Sequence, residues 1–339
     1  MGFEGLMTRR RALLIGLVAC GWAASAPPET AGPTRPWQGT GAALPESLRG
    51  EVAWEHIEAF SEGIGARVAG SDAERAAALY IEAAFRTAGY EPVLQPFSLP
   101  GRRAGDGLRS ANVMAEKRGA SSREIVVGAH YDSEARGRGA DDNASGVGVL
   151  LEVAAALREV AVPYTLRFVA FGAEEGGLRG SRHFVSTMDP SAIQNTVAMI
   201  NLDSLTAGDF AYVYGSEGDA GVIRDWILRV AGADGLGLRT QEGANPEYPS
   251  GTTCRCSDHA PFEEAGIQYA YFESTNWALG DGDGYTQVDT RYGEEGHIWH
   301  TPYDTLDYVA RTFPGRIEQR LELFSRLLYR VLTEYEEGD

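Results

Sequence analysis

The chain has 339 residues, of which 43% are hydrophobic and 23% are charged, a composition typical of a globular protein with a sizeable core. Its formal net charge is −18 at pH 7. This acidity argues against nucleic acid as a partner, because phosphate binding requires a basic surface. An acidic surface suits cationic substrates, although it can also serve solubility alone.

The first 26 residues have the pattern of an export signal. Arg9, Arg10 and Arg11 precede an apolar run, residues 12–19, that is too short to span a membrane as a mature helix. The Ala-Ser-Ala sequence at 24–26 suits an ordinary signal peptidase, whereas Leu-Val-Ala-Cys at 17–20 resembles a bacterial lipoprotein box with a lipid anchor on Cys20. Both alternatives predict an exported protein, periplasmic or secreted, possessing no transmembrane span in the mature chain.

Residues 27–45 are rich in Pro, Gly, Ala and Thr, which predicts a flexible leader before the folded part. A first helix is predicted through Val52–Glu62. A second is predicted through Arg75–Ala88, behind a capping box formed by Ser71 and Glu74. The sequence contains neither an internal repeat nor a sign of a second domain, so residues 46–339 are predicted to form one domain.

After the second helix, apolar runs alternate with helical segments. This alternation predicts an α/β fold, a three-layer sandwich whose mixed but mostly parallel central sheet carries helices on both faces. Buried strands are predicted at Ile125–Ala129, Leu166–Phe171, Val197–Leu202 and Tyr269–Phe272. Each is followed by chemically capable residues, in chain order His130, Glu174 with Glu175, Asp203, and Glu273. Because ligands bind at the carboxyl ends of such strands, we expect these side chains to converge on one site.

Five residues in this region offer nitrogen and oxygen donors suited to zinc: His130, Asp142, Glu175, Asp203 and His300. A single buried His or Asp is more often structural, but several at the strand ends of one sheet favour a metal centre. The charges favour two ions, because two Zn²⁺ carry four positive charges, and three carboxylates with a bridging hydroxide carry four negative ones. The expected cofactor is two Zn²⁺ per chain.

Six short motifs surround these residues: GAHYDS at 128–133, GADDNASG at 139–146, FGAEE at 171–175, NLD at 201–203, SDH at 257–259 and HTPYDT at 300–305. Their order and spacing resemble those of the co-catalytic dizinc aminopeptidases related to bacterial leucyl aminopeptidase. Segments at 276–280, 283–285, 299–300 and 314–318 are most similar to the alkaline phosphatase isozyme conversion branch of that family. The resemblance implies a zinc-peptidase fold and hydrolysis of the first peptide bond of peptides or proteins.

The resemblance also implies individual roles. His130 and Asp203 would bind one zinc ion, Glu175 and His300 the other, and Asp142 would bridge them. Glu174 would be the general base, taking a proton from the metal-bridging water and returning it to the leaving amine. Asp132 would orient His130 by accepting its second ring N–H.

Substrate preference is suggested only by the branch resemblance, which points to a basic N-terminal residue. Asp281, Asp283 and Glu273 are candidates to face its side chain, or else solvated loop carboxylates. Trp299 stands where some relatives have an oxyanion-binding tyrosine, so Tyr285 and Tyr303 are candidate substitutes.

Three other residues near this region have no catalytic role assigned by the sequence. Cys254 and Cys256 are separated by one residue, and either a disulfide or two free thiols remains open. His259 lies in the SDH motif but has no ligand role in the family, so we expect it to be structural.

Two alternatives come from other functional classes. One is a glutaminyl-cyclase-type acyltransferase, which resembles this scaffold but uses one zinc ion. The other is a non-catalytic binding ectodomain on the same fold, which would be expected to lack ligands. The complete set of five donors, with Glu174 beside Glu175, favours the aminopeptidase over both.

Overall fold

The structure, a computed structural model, describes residues 44–45, 48–99 and 109–338. The predicted export signal, with Cys20, lies outside the described residues, as does nearly all of the predicted leader. The described residues belong to one compact unit, Pro36–Asp339. The predicted domain boundary at residue 46 stays a prediction.

Eight strands form one mixed sheet: β1 Val93–Ser98, β2 Arg109–Lys117, β3 Ser121–His130, β4 Tyr164–Phe171, β5 Thr196–Leu202, β6 Phe210–Gly215, β7 Leu238–Arg239 and β8 Tyr269–Thr275. Their order across the sheet is β1-β2-β4-β3-β5-β8-β6-β7. The four central strands, β4, β3, β5 and β8, run parallel. β1, β2 and β6 are antiparallel to their inner neighbours, and β7 pairs parallel with β6.

The described part of the chain contains nine α-helices: α1 Glu51–Glu58, α2 Asp72–Thr87, α3 Gly146–Leu157, α4 Arg179–Ser186, α5 Pro190–Asn195, α6 Val222–Ala233, α7 Ala260–Glu264, α8 Leu306–Thr312 and α9 Arg316–Glu334. Alternate residues of each central strand enter different apolar cores, because successive strand side chains point to opposite faces. Ile125 and Val127 belong to the core that includes residues of helices α1–α3, α6, α8 and α9, whereas Val126 belongs to the core that includes residues of α4 and α7. The predicted three-layer α/β architecture is therefore confirmed.

The four strands predicted as continuous apolar runs are β3, β4, β5 and β8. All four extend beyond their predicted bounds: β3 begins at Ser121 and ends at His130, β4 begins at Tyr164, β5 begins at Thr196, and β8 continues past Glu273 to Thr275. β1, β2, β6 and β7 were not predicted. β1 and β2 mix exposed and buried positions, and β7 has only two residues.

Both predicted helices are present, with differences at their ends. The first is α-helical only to Glu58 and continues as a π-helical turn, Ala59–Ile64. At the start of α2, the Ser71 side chain accepts a hydrogen bond from the Glu74 amide, as predicted. The Glu74 carboxylate instead accepts from the Gly70 amide and the Ser110 hydroxyl, so only half of the capping box forms.

Candidate metal centre

Strand ends and adjoining loops carry the predicted ligands. His130 ends β3, Asp203 directly follows β5, and Glu175 lies in the turn four residues after β4. Asp142 belongs to the segment Ala140–Ser145 before α3, where the backbone leaves helical geometry and the Asp142–Asn143 peptide is cis. His300 comes from a loop between β8 and α8 and has a left-handed φ of 56°.

These five side chains form two groups of three donors that share Asp142. In the first, His130 Nε2 lies 3.1 Å from Asp142 Oδ1 and 3.3 Å from Asp203 Oδ1. In the second, His300 Nε2 lies 3.1 Å from Asp142 Oδ2 and 3.0 Å from Glu175 Oε2. The donor atoms within each group lie within 4.8 Å of one another. Because the two oxygens of Asp142 face different groups, this carboxylate has the geometry of a bridge.

The electrostatics of the site favour bound cations. Burial opposes a charge on His130, but Asp203 and Glu174 outweigh it and raise the His130 pKa well above its usual value. Hydrogen bonds to Asp142 and Glu175 raise the pKa of His300 to about 11. Burial likewise opposes ionisation of Asp142, but both histidines together hold its pKa below the usual range. Without metal, these imidazoles therefore carry protons that interact with the carboxylates.

The donor set fits zinc. It combines imidazole nitrogens and carboxylate oxygens in two compact groups, the ligand types and number that a pair of zinc ions requires. Arg67 is a fully buried cation whose charge acts on Asp142 and Glu175. Its guanidinium, however, donates to the backbone carbonyls of Gly65, Tyr131, Arg138 and Gly139. None of these four hydrogen bonds reaches an oxygen of the two donor groups.

Glu174 and Asp132, the two predicted catalytic residues, are both buried beside the two donor groups. Glu174 lines the same pocket as all the donors, and burial raises its pKa well above the usual value. Asp132 Oδ1 lies 3.5 Å from His130 Nδ1, longer than a usual hydrogen bond. Its oxygens accept instead from the amides of Glu174, at 2.9 Å, and Glu175, at 3.2 Å. Asp132 therefore positions the backbone of the two glutamates, a role that the sequence analysis missed.

Two buried aspartates near the ligands were also missed. Asp141 accepts hydrogen bonds from Thr206, Ala207 and Gln287. Asp304 accepts from the amides of Asp141 and Asp142. The signal that could have indicated them was their place inside the motifs GADDNASG and HTPYDT, next to or near a ligand.

A pocket of about 370 Å³ opens beside the donors. Its lining includes Glu273, Asp283, Tyr285 and Trp299, together with Thr253–Ser257, but Asp281 and Tyr303 are not part of it. Glu273 is buried at the pocket wall, where the hydroxyls of Tyr214 and Tyr271 donate to it at 2.7 and 3.2 Å. Burial raises the pKa of Glu273 to about 8.

The structure shows the state of the two cysteines and of His259, which the sequence left open. Cys254 and Cys256 form a disulfide, and both line the pocket. His259 is fully buried, lies against the rings of Tyr269 and Tyr271, and contacts the Cys254 carbonyl oxygen through Nε2 at 3.0 Å. Burial lowers the His259 pKa to about 3, so this imidazole is neutral and supports the disulfide segment.

Across residues 44–45, 48–99 and 109–338, the structure contains no helix that is both long and apolar enough to cross a membrane.

Comparisons with known proteins agree with this geometry. A family model described as peptidase family M28 matches residues 112–324. The alkaline phosphatase isozyme conversion protein of Escherichia coli strain K12 is 33% identical over 306 residues, covering 82% of this chain and 88% of that protein. Aminopeptidase YwaD of Bacillus subtilis strain 168 is 33% identical over 218 residues, covering 62% of this chain but 41% of that protein.

Two solved structures share the fold at low sequence identity. A zinc aminopeptidase from Bacillus subtilis superposes with a TM-score of 0.70 and 21% identity, covering 86% of this chain and 97% of that one. A glutaminyl cyclase from Porphyromonas gingivalis has a TM-score of 0.60 and 21% identity, covering 85% of this chain and 96% of that one. The fold alone therefore does not separate a peptidase from a cyclase.

Proposed function

The chain belongs to peptidase family M28 and is a metallo-aminopeptidase, and we propose that it hydrolyses the first peptide bond of its substrates with Glu174 as the general base, at a site that would hold two zinc ions. One observation carries the proposal: two groups of three donors share Asp142, and Glu174 lies in the same pocket. His130 and Asp203 would complete one zinc site, and Glu175 and His300 the other. The substrates would be the N-termini of peptides or proteins.

The chain's own residues support this chemistry. When bound, zinc polarises a carbonyl and lowers the pKa of water, to about 7 for a single ion. Glu174 is buried beside the donors, and its raised pKa suits a group that takes a proton from water and passes it to the leaving amine. Asp132 holds the amides of Glu174 and Glu175, so the base and one ligand keep a fixed separation. The acidic pocket would attract a free α-ammonium group.

We further propose a preference for a basic N-terminal residue. Apart from the proposed ligands and Glu174, the pocket lining contains one buried carboxyl group, Glu273, which accepts hydrogen bonds from the hydroxyls of Tyr214 and Tyr271. Asp283 lies at the same pocket, half-buried. A cationic side chain entering this pocket would meet both groups, whereas Asp281 is exposed and lies outside the lining.

Export is a proposal that rests on the first 26 residues alone. Residues 46–339 would form the catalytic domain, released into the periplasm or medium after cleavage at residue 26, or tethered by a lipid on Cys20. Mass spectrometry of the mature N-terminus separates these two outcomes, and an intact Met1 in the exported fraction contradicts both.

The test compares two adjacent glutamates, Glu174→Gln and Glu175→Gln, with the wild type. Metal content and release of nitroaniline from a panel of aminoacyl nitroanilides are measured on each purified protein. We expect two zinc ions in the wild type and in Glu174→Gln, whose kcat falls by about 10²- to 10⁴-fold because only the base is lost. Glu175→Gln should lose zinc as well as activity, because it removes a ligand.

Other results would favour the alternatives. One zinc ion per chain, with cyclisation of N-terminal glutamine and no nitroaniline release, would indicate the cyclase. A protein that binds no zinc and hydrolyses no substrate, yet binds peptides, would indicate a binding ectodomain. Full activity in Glu174→Gln would remove Glu174 from the role of base.

A further inference from the structure

Asp141, the neighbour of the proposed bridging ligand, is fully buried and belongs to neither donor group. Its Oδ1 accepts three hydrogen bonds, from the Thr206 amide at 2.7 Å, the Thr206 hydroxyl at 2.8 Å and the Ala207 amide at 2.9 Å. Thr206 and Ala207 follow Asp203 by three and four residues. One oxygen of Asp141 therefore holds the loop that leaves the ligand Asp203.

The other oxygen reaches a different ligand loop through one side chain. Asp141 Oδ2 accepts from Gln287 Nε2 at 3.0 Å. Gln287 is itself fully buried, and its Oε1 accepts from the amides of Ile298 and Trp299 at 2.8 and 2.9 Å. These two amides directly precede His300. Gln287 thus connects Asp141 to the segment that carries the ligand His300.

The backbone of Asp141 is fixed as well. Its amide donates to Asp304 Oδ1 at 2.7 Å, and the amide of Asp142 donates to Asp304 Oδ2 at 3.2 Å. The hydroxyl of Ser145 donates to the Asp141 carbonyl oxygen at 2.6 Å. The backbone therefore cannot shift at Asp142 without breaking contacts made by Asp141.

We propose that Asp141 is a positioning residue that fixes Asp142 relative to both Asp203 and His300, so that the two metal subsites share one support. The proposal rests on the two-zinc function argued above. Asparagine cannot replace this aspartate without loss, because one of its two terminal atoms would be a donor facing another donor. Gln287 cannot rotate to compensate, because its oxygen already serves two amides.

The experiment is a double-mutant cycle on zinc affinity, using Asp141→Asn, Gln287→Met and the pair. Stoichiometry and stepwise zinc dissociation constants are measured by competition with a chromogenic chelator, alongside Tm in zinc and in chelator. We expect each single variant to bind zinc about 10- to 100-fold more weakly, the usual loss when a group supporting a metal ligand is removed. The zinc affinity of the double variant should fall by less than the product of the two single reductions, because both side chains act through one connection.

Glu152→Gln is the matched control, a buried carboxylate on α3 that accepts from Ser325 and lies outside the donor groups. It should lower Tm equally in zinc and in chelator and leave zinc affinity unchanged. If Asp141→Asn fails to fold, Gln287→Met alone carries the test.

Two results overturn the positioning role alone. The first is wild-type zinc affinity in a folded Asp141→Asn or Gln287→Met, and the second is losses that multiply fully in the pair. A wild type that binds no zinc would overturn the proposed function and the positioning role together. Two tightly bound ions in the wild type, with unchanged affinity in the variants, would overturn the positioning role only.

Discussion

Glu273→Gln tests whether the buried carboxylate of the pocket selects cationic N-terminal residues. Glutamine has the same shape as glutamate and can keep one tyrosine hydroxyl as a donor to its carbonyl and the other as an acceptor for its amide. The substitution therefore removes the negative charge with little change to the contacts with Tyr214 and Tyr271. Only the hydrolysis of substrates with a cationic N-terminal residue should change.

The size of the effect follows from the charges. Two opposite charges about 4 Å apart attract by about 4 kcal/mol at an effective dielectric constant of 20. A neutral hydrogen bond from glutamine recovers about 1 kcal/mol, which leaves about 3 kcal/mol, or about 10²-fold in kcat/KM for arginyl substrates. The change of about 10²-fold is expected at pH 9, because Glu273, with a pKa of about 8, is ionised there. At pH 7 only about a tenth of the group is ionised, so the preference should be about tenfold smaller.

The assay measures kcat/KM for arginyl and leucyl nitroanilides at pH 7 and pH 9. The arginine-to-leucine ratio should rise with pH in the wild type and stay flat in Glu273→Gln, since titration of the α-amino group affects both substrates alike. Asp281→Asn is the matched control, because this exposed carboxylate lies outside the pocket. An unchanged ratio in Glu273→Gln, with leucyl activity retained, would refute the reasoning.

Two further predictions concern protons. Zinc loading of the metal-free protein at pH 7 should release at least two protons, because His130 and His300 have raised pKa values and must deprotonate to bind metal. Calorimetry in buffers of different ionisation enthalpy counts the released protons. Zinc binding without proton release would contradict this prediction. His259→Phe should reduce the loss of stability in acid. The folded pKa of His259 is about 3 and the unfolded value about 6.5, so acidification protonates the unfolded chain first and stability falls below pH 6.5. Between pH 7 and 4.5 the wild type should lose about 2.5 kcal/mol more than the variant in metal-free denaturant titrations, and parallel curves would contradict this.

The central strands were predictable because each is largely buried on both faces and its sequence is mostly apolar, with Arg167 in β4 and Asn201 in β5 as polar exceptions. β5 is buried at all seven positions, and β8 is buried throughout as well. β1 and β2 lie toward the edge of the sheet and mix exposed with buried positions, so their apolar runs are shorter. His130, Glu175 and Asp203 lie at or just after the ends of these strands, whereas Asp142 and His300 lie in other segments and were named through the motif resemblance.

The supporting residues could not be predicted in the same way, because their partners are distant in the chain. Gln287 and Asp141 are separated by 146 positions, and Asp304 and Asp141 by 163. No local pattern distinguishes Asp141 from Asp142, although one accepts four internal hydrogen bonds and the other faces both donor groups. The role of Asp132 was incomplete for the same reason, since its contacts to Glu174 and Glu175 arise only when β3 and β4 pair.

The distribution of charge at the two donor groups favours the binding of cations. Asp142, Asp203 and Glu174 are buried, and Glu175 lies partly buried beside them; bringing like charges out of water is unfavourable unless cations balance them. Arg67 supplies one such charge, but its hydrogen bonds hold the backbone around His130 and Asp142 rather than the carboxylates themselves. In the metal-free chain the remaining balance comes from protons, above all on the two imidazoles. Metal therefore replaces protons at a site whose geometry the buried polar contacts have already fixed.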